Sequence, residues 1–142
     1  MVPESFEREF VRSYPGRAAF VADAREDVRS FAQRCRLAEA EADDLTQAVG
    51  ELLTFIIANT SGHPRPFRVA AWSYPKRIEV EVESDSHAFA TIPAAWDPDD
   101  EPLAPRGLGM LVVRGFVDEV EFSDQGRVAR IVKNRADRSP RR

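Results

Sequence analysis

Between Arg106 and Met110 the chain reads Arg-Gly-Leu-Gly-Met, at the point where a proline-rich acidic stretch gives way to an apolar helical run. Residues of these types can hold an anion. Gly107 and Gly109 carry no Cβ, so the backbone can come close to a ligand, and the free N–H groups of a starting helix point at whatever negative group lies there. Phosphate is the ligand such a junction suits. The same residues would also serve as a loop-to-helix joint whose glycines permit tight packing, and the motif alone does not separate the two readings. Other reactive groups are sparse. The histidines are His63 and His87, and Cys35 is the single cysteine, so neither an internal disulfide nor a histidine–cysteine zinc set can be built. Cys35 falls on an apolar helical stripe, where packing is its expected role.

The elements that must position this junction follow from hydrophobic periodicity. Phe6 and Phe10 alternate with charged residues through Arg12, which predicts a short first strand. Pro15 and Gly16 open a helix on which Phe20, Ala24, Val28, Phe31 and Cys35 form one apolar face. A second helix is predicted over 39–60, with Asp43 and Asp44 in its early turns, where negative charge suits the helix dipole. Its stripe is Leu45, Val49, Leu52 and Ile56. Beyond Glu51 the run LLTFIIA is apolar almost all round, so this half must be covered on most sides and is the central helix. Strands are predicted over 67–74 and 77–83. In the second of these, Ile78, Val80 and Val82 alternate with Glu79, Glu81 and Glu83, so one face of the sheet is packed, the other meets water, and the helices lie on one side. Residues 84–105, with four prolines and the acidic group Asp97, Asp99, Asp100 and Glu101, read as a lid or a disordered segment. A helix over 106–116 and a hairpin of strands over 117–122 and 127–133 complete the domain.

The resulting order predicts a two-layer α/β (α+β) sandwich, a five-stranded mixed sheet with three main helices on one face. At 142 residues the chain fits one domain, expected over 1–134. The net charge of −4 opposes a sequence-blind nucleic-acid binder, which needs a basic face. Basic residues gather only in the tail 135–142, read as solvated and disordered. No apolar run approaches the roughly 20 residues needed to span a bilayer, and no signal-peptide pattern opens the chain, so a cytoplasmic location without membrane contact is expected.

The segment AVGELLTFIIANT resembles the N-box helix of the GHKL (histidine-kinase-like) ATPases, in particular the small anti-sigma factors that act as serine kinases. RGLGMLVVRGFVDEVEF resembles their second glycine box and the strand after it. The likeness runs in order from about residue 17 to 133 and implies the Bergerat-type ATP-binding fold. It makes Glu51 the counterpart of the general base and Arg106, Gly107 and Gly109 the counterparts of the phosphate-binding residues. Four residues after Glu51 the family has a magnesium-holding Asn where this chain has Phe55, and phenylalanine offers no oxygen to a hard cation. The first glycine box, Asp-x-Gly-x-Gly-Phe, corresponds to Ser84 to Phe89, which leaves Asp85 one residue out of register as the candidate adenine-reading carboxylate. Asp118 and Glu119 match acidic residues with a structural role, and Asn59 is read as the end of the helix. What the resemblance implies is an ATP-binding regulator that binds a sigma factor or an anti-anti-sigma partner, with serine kinase activity weak or lost, and homodimerisation, which is common in the family. The alternative is a nucleotide-free pseudo-ATPase that works only by docking to protein.

Overall fold

In a computed structural model the described residues are 5–60, 64–92 and 108–136. They form β1 (Arg8–Tyr14), α1 (Ala19–Arg34), α2 (Glu39–Ala58), β2 (Phe67–Ser73), β3 (Arg77–Ser84), α3 (Leu108–Phe116), β4 (Glu119–Ser123) and β5 (Val128–Asn134), with short 3-10 turns at Ala88–Thr91 and Asp124–Gly126. The five strands make one sheet in the order β1-β2-β3-β5-β4. Every ladder is antiparallel, which corrects the expectation of a mixed sheet. The reason lies in the connections. Two helices between β1 and β2 return the chain to the end at which β1 finishes, so β2 runs against β1. One helix precedes β4, which runs the same way as β3, but β5 inserts between these two and opposes both.

The core lies between the sheet and the helices. Val69, Ala71, Ile78, Val80, Val82, Ala129 and Ile131 are buried on one face of the sheet, against α2 residues that include Leu45, Val49, Leu52, Leu53 and Ile56. α2 packs on both α1 and α3 as well, which is why its second half is apolar nearly all round. α1 ends in a six-to-one closure, with the Leu37 N–H donating to the Ala32 carbonyl and that of Arg36 to Gln33; Arg36 takes the left-handed conformation at φ 61° that glycine more often supplies there.

Three sequence boundaries move. The first strand runs on to Tyr14, which is buried at 2% exposure, whereas Phe6 is 47% exposed and stands outside the core. Tyr14 stacks on Phe67 with ring centroids 5.2 Å apart and donates to Asp27 Oδ2 at 2.7 Å, the same oxygen that Arg12 reaches. The segment after β3 is not loop throughout, since 84–92 carries a strand end and a 3-10 turn; residues 93–107, most of the expected lid, lie outside the described residues. Arg135 does not begin a disordered tail. Its backbone N–H donates to Lys76 O, and its guanidinium donates to Tyr74 O at 3.1 Å, Cys35 O at 2.9 Å and Ser73 Oγ at 2.5 Å. The planar five-donor fork of arginine suits three acceptors converging from separate elements. Ala136 follows with its N–H on Glu41 Oε2 at 2.6 Å; the remainder of the tail lies outside the described residues.

Candidate functional site

α2 presents Glu51 and Phe55 one turn apart, and residues at i and i+4 share a helix face. Glu51 is half-buried at the margin of the apolar stripe, and Gln47 Nε2 donates to its Oε1 at 3.4 Å, a long contact that leaves the carboxylate available. Phe55 is turned inward at 7% exposure. Its ring stacks on Phe89, with centroids 5.6 Å apart and planes 11° from parallel. Phe89, at 1% exposure, leans in turn on Phe122 of β4 at 5.3 Å. The sequence picks out Phe55 and Phe89 separately; that Phe122 completes a three-ring stack follows from the pairing of Phe122 with Ala129 and of Ala129 with Val82, which no local motif reveals.

The segment from Ser84 to Phe89, which the sequence likens to a first glycine box, is shaped by serines. Ser84 continues the inward-facing row of β3 and is buried; its Oγ accepts from the Ser86 N–H at 3.2 Å and lies 2.9 Å from Ser86 Oγ. Asp85 turns outward. Its side chain is 65% exposed and ion-paired with Arg127 at 3.0 Å, an arginine that also reaches Asp124 at 3.1 Å. His87 adopts φ 56°, and its Nδ1 is 2.9 Å from the Gln125 carbonyl. That distance requires the Nδ1–H tautomer, since a carbonyl only accepts. The turn between β4 and β5 closes against this segment. Gly126 has φ +84°, and a Cβ there would stand 2.2 Å from the Ala90 nitrogen, so the close approach demands glycine.

Beside the three rings opens a cleft of about 420 Å³, lined by residues that include Phe89, Ile92, Phe122, Ser123 and Gln125. Its size falls in the range of small-molecule sites, but no ionisable side chain lines it among the described residues. Gly109 is the second residue of α3, at the helix start where the sequence places it, while Arg106 and Gly107 lie outside the described residues. Asp118 Oδ2 accepts the Asn134 N–H at 2.7 Å and ties the start of β4 to the end of β5, and Glu119 is exposed on β4. Asn59 caps α2, with its Nδ2 on Phe55 O at 2.9 Å.

The structure thus sets Glu51 one turn before Phe55 on α2 and stacks Phe55 on Phe89, and it sends Asp85 to Arg127. Magnesium does not fit what remains. The residue four after Glu51 contributes a buried aromatic ring in place of an oxygen, and hard cations need several oxygen ligands. Among the described residues no group of three or more Asp, Glu, His or Cys side chains could hold a metal ion. Among them, too, no helix is long and apolar enough to cross a membrane.

Comparison with known proteins adds one finding. No curated protein matches the chain, but the family described as "Histidine kinase-like ATPase domain" matches residues 14–133. That match runs from the end of β1 into the last residues of β5 and takes in the whole helical layer. The chain therefore belongs to the histidine kinase-like ATPase domain family.

Proposed function

We propose that the chain is an anti-sigma-type regulatory module of this family that acts by binding a protein partner, a sigma factor or an anti-anti-sigma protein, and that its serine kinase activity is lost. The observation that carries this reading is the Phe55–Phe89–Phe122 stack. Phosphoryl transfer rests on electrostatic stabilisation of the phosphates, in large part by the metal, and an aromatic ring beside Glu51 supplies none. The engagement of Asp85 with Arg127 supports it further, because the candidate adenine-reading carboxylate is already paired with a cation.

Two measurements test the proposal. Melting in millimolar magnesium and ATP is expected to leave Tm unchanged; a nucleotide present at about 100 times its Kd would add roughly 2.7 kcal/mol and raise Tm by about 5–10 °C, and that rise would overturn the nucleotide-independent reading. Calorimetric titration against the purified sigma factors and anti-anti-sigma proteins of the same organism, without nucleotide, should yield one that binds. Failure of every one of them would refute the regulatory role.

A further inference from the structure

The helices cover one face of the sheet, and the register fixes what the other face displays. One row across it reads Glu9, Trp72, Glu79, Val132, Glu119, and the next reads Val11, Ala70, Glu81, Arg130, Glu121. A third places Glu83 beside Arg68. The guanidiniums on this face are matched already. Arg77 and Arg130 both hold Glu79, at 2.6 and 3.0 Å, and Arg68 holds Glu83 at 2.7 Å. Glu81, Glu119 and Glu121 have no ion-pair partner among the described residues. Val132 and Ala70 within the rows are buried, and the accessible apolar groups lie at the opposite end. Val11 is 50% exposed, and the Trp72 indole is fixed on the same end by donating to Glu9 Oε2 at 2.9 Å.

We propose that this open face docks a basic, partly apolar segment of a partner protein. An apolar side chain seats against Val11 and Trp72, and arginine or lysine side chains reach Glu81, Glu119 and Glu121. The spacings suit an extended segment laid across the strands. From β1 to β4 is four strand spacings, about 19 Å, which six extended residues span. Charge selects this occupant. A second copy packed face to face would set the same carboxylates against each other, and Arg135 and Ala136, which follow β5, are fastened to Cys35 and Glu41. The assignment rests on the docking reading above and names its surface.

The test uses the full chain and a fluorescein-labelled peptide, Leu-Val-Ser-Arg-Ser-Arg-Ser-Arg, at 150 mM salt. Anisotropy should report binding that weakens at least tenfold in the triple variant Glu81→Gln, Glu119→Gln, Glu121→Gln. The same neutralisation on the helical side, Asp23→Asn, Glu26→Gln, Glu39→Gln, should leave it unchanged. Amide shifts on titration should concentrate at Val11, Trp72, Glu81 and Glu121. Equal weakening in both triple variants would reduce the effect to net charge and overturn the proposal, as would an absence of binding. Shifts confined to α1 and α2 would overturn the face while leaving partner docking intact. A dimer of the free chain that Val11→Arg disrupts would give the face to a second copy and overturn it too. The nucleotide melt is read separately, so failure of the surface and failure of the functional reading are distinct results.

Discussion

Replacing Phe55 by asparagine supplies the residue type that the sequence resemblance implies at this position, and the structure predicts that the fold resists it. The ring is 7% exposed and stacked on Phe89. Removing a buried phenylalanine to alanine costs about 3–5 kcal/mol. Asparagine fills part of the space but puts an amide against the Phe89 ring, and an unpaired buried polar group costs about 1–3 kcal/mol. A net loss of about 4 kcal/mol is expected. With an unfolding entropy of about 2.1 cal/mol/K per residue, the 142-residue chain has roughly 0.3 kcal/mol/K, so Tm should fall by about 13 °C. Scanning calorimetry reads Tm, and urea unfolding reads the free energy. A double-mutant cycle with Phe89→Leu should return about 1 kcal/mol of coupling for the ring pair. A loss below about 1 kcal/mol in Phe55→Asn would refute the reasoning, because it would mean that the space beside Glu51 accepts a polar side chain and could accept a ligand.

Two further outcomes follow from the same packing. Burial, and donation to Asp27, hold the Tyr14 hydroxyl well above its ordinary pKa of 10.0, so in strong alkali the unfolded chain loses this proton before the folded one does. The contribution is therefore complete below pH 10 and declines as pH rises beyond it, at most by about 1.4 kcal/mol per pH unit; Tyr14→Phe should flatten that part of the stability curve in urea titrations, and an unchanged alkaline slope would count against the burial account. Arg135→Ala removes a guanidinium that serves three acceptors and should cost about 2–3 kcal/mol, measurable as a lower urea midpoint at constant slope; a change under about 0.5 kcal/mol would mean that the C-terminal segment is solvated from Arg135 onward.

The elements were legible where periodicity was long or clean. α1 and α2 come from three- and four-residue spacing, and the Ile78, Val80, Val82 alternation identifies both the strand and its buried face. Direction within the sheet was not legible, because antiparallel pairing throughout depends on β5 entering between β3 and β4, and nothing in the hairpin sequence reports which older strand it will also meet. Phe6 and Tyr14 show a related limit: both are aromatic, both border a strand, and only the arrival of α1 with Asp27 decides that Tyr14 is the buried one. Arg135 looked like the first member of a basic tail since a fork of donors reads as surface charge until its three carbonyl and hydroxyl partners are assembled from remote elements. At the site, the substitution at Phe55 was visible in the sequence. Its consequence, a stack that continues through Phe89 to Phe122, required the tertiary pairing. Asp85 shows the reverse case, a carboxylate near the right place whose outward turn and attachment to Arg127 depend on the final hairpin.

That final hairpin also sets the order in which the fold can become whole. Among the described residues β4 pairs with β5 alone, and β5 is the sole strand that links it to the three strands before it. Until residues 128–134 are in place the sheet is two unconnected pieces, one of three strands and one isolated strand, and an isolated strand does not persist in water. Closing it joins residues far apart in the chain, a slow kind of contact. Amide exchange along β4 should therefore never be slower than along β5, while β2, held on both sides by β1 and β3, can keep its protection through openings that release the last strand.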